Sequence, residues 1–155
     1  MFPNKAKGIC GRDNLLIWCL IPKYMNPAYY LTRFLGSFDL KDIPDRAYII
    51  TACNPMDNKL SDSENQKRNA DLQSMIKQLD ALCLPVIGAS EDFSHQEPSF
   101  LTDLTRTQVL ELAIRFNQRA IFGIIMDNLI IIPCDENEQI MELGSFIERM
   151  VDRGE

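Results

Sequence analysis

Five cysteines occur in this chain, at positions 10, 19, 53, 83 and 134, and no two of them form a C-x-x-C pair. That spacing signals neither a zinc knuckle nor a thioredoxin-like redox pair, and reduced thiols in a cytoplasm fit it best. There is a single histidine, His95, which excludes a site built from several imidazoles. No P-loop and no G-x-G-x-x-G is present, so the two common nucleotide fingerprints are missing. Neither serine in Ser61-Asp62-Ser63 sits in a G-x-S-x-G context, which leaves that class of hydrolase unsupported. Long apolar runs are missing near the start too: Leu15 to Ile21 spans seven residues, far short of the roughly 20 that a membrane helix needs. Pro22-Lys23-Tyr24 follows it where a signal peptide would carry small residues, so a short segment packing on the domain is expected. A membrane partner is not expected.

Basic charge is also scarce. The net charge is −6, which argues against a general nucleic-acid binder, since phosphate neutralisation needs a basic face. The balance is uneven. Lys5, Lys7, Arg12, Lys23 and Arg33 against Asp13 give residues 1–33 a net +4, leaving −10 on the remainder. Such an arm could dock on its own domain or on an acidic partner, although solvated charge accounts for it as well. No metal or cofactor is called for.

What the chain does have is a strand, a polar turn and a long helix between Ala47 and Cys83. Ala47 to Ala52 is a short, β-branched apolar run suited to a buried strand. Asn54-Pro55 breaks it, because the residue before proline is pushed out of helical geometry. Ser61 and Glu64 have capping-box spacing. Leu72, Met75, Ile76, Leu79, Leu82 and Cys83 then recur as a helical stripe, with a strand from Leu84 to Gly88 directly after. This predicts a β-α-β crossover.

Around it, residues 1–25 read as an N-terminal extension and 26–155 as a single α/β domain. Asn26-Pro27 predicts a helix stopped by Gly36, and Ser99 to Leu104 a short strand. Thr105 and Gln108 predict a second capping box, opening a helix with Val109, Leu112, Ala113 and Phe116 inward and Leu110 and Ile114 as a second covered edge. Ala120–Met126 and Leu129–Pro133 predict a hairpin about Asp127-Asn128. Asp135 and Glu138 would open a last helix with Ile140, Leu143, Ile147 and Met150 inward, and Gly144 in mid-helix would reflect close packing. The sum is a mixed sheet of about four or five strands with flanking helices.

The helical stripe, extended backwards, reaches Asn65, Arg68 and Asn69 at the helix N-terminus, beside the strand end that carries Thr51 and Asn54. Ligands favour crevices at carboxyl strand ends, and helix N-termini favour anions. One reading is therefore a pocket for a nucleotide or sugar-phosphate-like anion, held by Thr51, Asn54, Asn65 and Arg68. The other is that these side chains bond the carbonyls of residues 54–60 and hold the turn.

Ile49-Ile50-Thr51-Ala52-Cys53-Asn54-Pro55, Ser61-x-x-Glu64-Asn65-x-x-Arg68, Glu97-Pro98-Ser99 and Phe116-Asn117-Gln118-x-Ala120-Ile121 together resemble a bacterial family known as domain of unknown function 3293. The resemblance runs from about Tyr29 to Pro133. It departs at Cys53, where the pattern carries Trp, and at Asn117 and Arg119, where it carries Gly and Asn. It implies no activity, but it adds polar positions to the candidate site: Glu97, Ser99 and Gln118. Glu97 is the carboxylate among them and the candidate general acid or base, or else the cap of a turn before Pro98. His95 reads as a surface residue, and Cys53 as a buried thiol without a paired base. A different class of function is a non-catalytic module that binds a protein partner, or itself, through its acidic face or through Leu15–Ile21.

Overall fold

A computed structural model describes residues 25–152 of the chain, so the segment Leu15–Ile21 lies outside the described residues. Strand β2, Arg46–Ile50, sits at the centre of the sheet with everything after Arg46 buried. Its alternation divides the interior. Tyr48 and Ile50 point to one face, where they meet Leu72, Ile76, Val109 and Leu112 from two helices. Ala47 and Ile49 point to the other, with Phe34, Val86, Leu101, Leu129 and Phe146.

Helix α1, Asp62–Gln78, begins at the Ser61–Glu64 capping box, and helix α2, Arg106–Arg115, at the one formed by Thr105 and Gln108. Both boxes are closed reciprocally, which satisfies amides that the first helical turn leaves without partners. α1 ends at Gln78, and Asp80 turns left-handed at φ 54°, so Leu82 and Cys83 belong to the link into strand β3, Leu84–Ala89. Strand β4, Gln96–Thr102, lies between β2 and β3 and runs antiparallel to both. β2 and β3 are therefore parallel to each other, and the expected crossover is present in split form.

The sheet has eight strands rather than four or five: with β1 at Arg33–Gly36, β5 at Ala120–Ile125, β6 at Asn128–Pro133, β7 at Met141–Ser145 and β8 at Met150–Asp152, the order is β7-β6-β5-β2-β4-β3-β1-β8. Three of them stand where two helices were expected. Asn26 does cap Ala28 N through its side chain, with Pro27 following, but the result is a five-residue 3-10 turn, Pro27–Leu31. The chain then enters strand β1, Arg33–Gly36, where Phe34 and Leu35 are both buried. Likewise the segment read as a last helix forms strand β7, Met141–Ser145, then a 3-10 turn and strand β8, Met150–Asp152. Gly144 has φ +88° and no neighbour that a Cβ would meet, so it serves a β-bulge and not close packing. Leu129 opposes Gly144 while Ile130 opposes Glu142, which makes Leu143 the extra residue.

The hairpin of strands β5, Ala120–Ile125, and β6, Asn128–Pro133, turns one residue earlier than expected, at Met126-Asp127, with Met126 at φ 58°. On α2 the second apolar edge is covered only in part: Leu110 packs half-buried against the core, while Ile114 is 58% exposed.

Four residues, Phe146–Arg149, connect edge strand β7 to the opposite edge, β8. A flat sheet would separate those edges by seven spacings of about 4.8 Å, about 34 Å, whereas this link reaches about 17 Å at most. The sheet must curl. Arg149 fastens the seam, donating to Leu143 O at 3.1 Å on one side and to Tyr30 O at 2.8 Å and Thr32 O at 3.2 Å on the other. The curl encloses the helix-free face, where the Phe34 ring meets Phe122 edge-on at 5.1 Å and Phe146 at 5.4 Å. Among the described residues no helix is long and apolar enough to cross a membrane.

Candidate functional site

Beyond Ile50 the chain makes a turn with an unusual backbone. Asn54, Met56 and Asp57 all adopt left-handed φ, at 47°, 49° and 63°. Each such non-glycine residue costs about 1–2 kcal/mol, so the turn needs outside support. Asn65 supplies part of it: its Oδ1 accepts from Asn54 N at 3.0 Å, and its Nδ2 donates to Asn54 Oδ1 at 2.9 Å. Leu60 N also donates to Asn54 Oδ1, at 3.0 Å. Met56 N donates to Asn117 O at 2.7 Å, and Asn117 is itself left-handed at φ 53°.

Arg68 supplies the rest. Its Nε donates to Ala52 O at 2.7 Å, its Nη2 donates to Phe116 O, and its guanidinium lies 5.8 Å from the centre of the Phe116 ring. The buried Asn69 accepts from Ala52 N at 2.8 Å and donates to Pro98 O at 2.7 Å. Gln118, also buried, donates through Nε2 to Cys53 O at 3.0 Å and Phe116 O at 3.3 Å. Asn65, Arg68 and Asn69 thus bind backbone at the helix-covered end of β2.

A cavity of about 90 Å³ opens on the opposite face, at one end of the curled sheet. Phe34, Ile49 and Phe122 form its apolar floor, and Ala28, Tyr29 and Thr32 from the first 3-10 turn and its exit cover it. Strand alternation places its polar wall. Thr51 follows Ile49 by two, Glu97 and Ser99 precede Leu101 by four and two, and Gly88 pairs with Glu97. Gln118, Asp57, Ser90 and His95 complete the lining.

Two hydrogen-bonded carboxylates flank the opening. Glu97 Oε1 accepts from Asn54 Nδ2 at 2.8 Å and meets His95 Nε2 at 3.0 Å. Asp57 Oδ1 accepts from the Tyr29 hydroxyl at 3.0 Å, and Asp57 Oδ2 from Arg119 Nε at 2.9 Å. Burial first, and then the charges of Asp57 and Glu97, hold the Tyr29 phenol well above its ordinary pKa. Burial likewise raises the Cys53 thiol, whose sulfur lies 3.2 Å from Asn69 Nδ2. That environment suits a structural thiol, not a nucleophile.

Of the seven residues singled out from sequence, Thr51, Glu97, Ser99 and Gln118 line the cavity. Asn54 reaches it through Glu97, while Asn65 and Arg68 stand behind the turn. Sequence reasoning missed Tyr29, Asp57 and the aromatic floor, and placed His95 at the surface. Asp57 had a faint signal, as an acidic residue in the Asn-Pro turn. Tyr29 had none, because it arrives from a remote segment.

Fold and site together define an α/β domain with a curled, largely antiparallel sheet and a polar cavity at its open end. Residues 50–121 match the family described as Protein of unknown function (DUF3293), a shorter span than Tyr29 to Pro133 but one that contains all seven candidate positions. The chain is similar to that family across the turn, both helices and the cavity's polar wall. No curated protein and no solved structure matches it.

Proposed function

We propose that the domain binds a small molecule in the cavity between the Pro27–Leu31 turn and the open end of the sheet. One observation carries this reading: polar side chains from four separate segments converge over an aromatic floor in an open cavity. Thr51, Glu97, Ser99 and Gln118 face the bound molecule. Asn54 positions Glu97, and Asn65 and Arg68 hold the turn from behind. Glu97 is anchored through one oxygen, so the other is available as a binding charge or a proton acceptor.

The phosphate-like ligand suggested by the helix N-terminus does not fit this wall as well. Arg68 is committed to two carbonyls on the other face, and Arg119 is paired with Asp57. Free thiols at Cys53, Cys83 and Cys134 support a reducing compartment such as the cytoplasm.

Filling the cavity tests the reading. A Cβ at Gly88 would meet nothing closer than 3.9 Å, so Gly88→Leu fits the backbone and places its side chain in the space. In a fragment screen read by amide NMR, shifts at Thr51, Gly88 and Ser99 should saturate in the native protein. They should vanish in Gly88→Leu while its urea midpoint is kept. No saturable shift at those amides, or unchanged binding by the filled variant, would refute the proposal.

A further inference from the structure

The cavity wall has used up its hydrogen-bond donors and kept its acceptors. Thr51 Oγ1 lies 2.8 Å from Pro98 O and Ser99 Oγ 3.0 Å from Glu97 O, and a carbonyl can only accept, so both hydroxyl protons are spent. The Tyr29 hydroxyl is spent on Asp57 and the Asn54 amide on Glu97. Backbone partners fix the amide orientations: Leu60 N demands the oxygen of Asn54, and Cys53 O and Phe116 O demand the nitrogen of Gln118. Among the described residues no hydrogen bond reaches Gln118 Oε1 or Glu97 Oε2, whereas Thr51 Oγ1 already accepts from Cys53 N at 3.1 Å. Both carboxamide and carboxylate oxygens can therefore accept from a donating ligand that enters the cavity.

Charge points the same way. Glu97 and Asp57 carry two negative charges at the opening, and the Arg119 guanidinium offsets one. His95 is already engaged with Glu97. The raised pKa of Tyr29 reflects, after burial, the field of both carboxylates. A metal ion would also answer to such a field, but among the described residues no three His, Cys, Asp or Glu side chains gather to hold one. The floor is aromatic: Phe122 lies 5.1 Å from Phe34 and 6.1 Å from Tyr29. Ring faces attract organic cations and cover apolar carbon, whereas an anion would gain nothing there.

We infer that the cavity is selective for a small organic cation, an ammonium, amidinium or guanidinium group on an apolar body. The group's N–H donors would meet Glu97 Oε2 and Gln118 Oε1, and its carbon would rest on Phe34 and Phe122. This inference rests on the small-molecule reading of the same cavity, and the test separates the two.

Benzylamine, benzyl alcohol, benzoate and inorganic phosphate serve as probes, titrated against the full chain with the Thr51, Gly88 and Ser99 amides as reporters. Benzylamine should bind at least about tenfold tighter than benzyl alcohol, the equivalent of about 1.4 kcal/mol. Benzoate and phosphate should leave the reporters unmoved. In Glu97→Gln the preference for the amine should disappear while the alcohol's affinity is retained, which also shows that the variant is folded. If the alcohol, benzoate or phosphate binds as tightly as the amine, the cation assignment is overturned and the small-molecule reading stands. If none of the four moves the reporters, both are overturned.

Discussion

Asn54 Nδ2 donates to Glu97 Oε1 across 2.8 Å, tying the left-handed turn after β2 to the carboxylate at the start of β4. The same side chain accepts from Leu60 N and Asn65 Nδ2 through its oxygen, so one amide serves the turn and the cavity together. Its backbone, at φ 47°, is a conformation that Asn and Gly tolerate better than other residues.

These two contributions can be separated by substitution. Asn54→Gly keeps the backbone freedom and removes the side-chain bonds, and should cost about 2 kcal/mol. Asn54→Ala removes the bonds and adds left-handed strain, and should cost about 1 kcal/mol more. Urea unfolding with unchanged m-values gives both numbers. Equal midpoints for the two variants would show that the turn relaxes out of the left-handed region.

Arg68 stands behind the same turn, with its guanidinium on Ala52 O and Phe116 O. Arg68→Ala leaves both carbonyls without that donor and should destabilise by about 2–3 kcal/mol. Arg68→Lys can reach only one of them at a time and should recover less than half of the loss. Benzylamine affinity, corrected for the folded fraction, should be unchanged in both. Unaltered stability in Arg68→Ala, with phosphate binding that the native protein shows and this variant loses, would restore the anion pocket at the start of α1.

Local chemistry made part of this fold legible in the sequence. The capping boxes at Ser61 and Thr105, the β-branched run of β2 and the Asn54-Pro55 break each specify their element within a few residues. The C-terminal segment was ambiguous because Ile140, Leu143, Ile147 and Met150 satisfy helical spacing, while a bulge at Leu143 interrupts the strand period that would have betrayed β7. Gly144 carried the contrary signal, as a residue placed where φ must be positive. The insertion of β4 between β2 and β3, and the pairing of β8 with β1, depend on partners remote in sequence that no window contains.

The site divides along the same line. Sequence spacing brought Thr51, Asn54, Asn65 and Arg68 to one end of the central strand, and the family resemblance added Glu97, Ser99 and Gln118. It could not say that Asn65 and Arg68 stand on the helix-covered side while Glu97 and Ser99 face the enclosed side. A helical stripe reports which residues share a face of the helix, not which side of the sheet a neighbouring strand turns toward the cavity.

Buried acids set the response to alkali. Burial pushes the Cys134 thiol up to about 11 from an ordinary 9.0, raises Cys53 and Cys83 in the same direction, and holds the Tyr29 phenol well above 10.0. In the unfolded chain these groups titrate near their ordinary values. Below about pH 8.5 both states keep the thiol protons, and this contribution to stability is fully present. As the pH rises further the unfolded state releases protons that the folded state retains, so stability falls through the window up to about pH 11. The urea midpoint should therefore be level from pH 7 to about 8.5 and decline beyond it, less steeply in Cys134→Ala. Iodoacetamide at pH 8 should also label Cys134 slowly, with about one thiol in a thousand ionised, as read by peptide mass mapping. A midpoint that holds to pH 10.5, or rapid labelling of Cys134, would mean that the thiol is solvated and that the C-terminal end of β6 opens more readily than its packing implies.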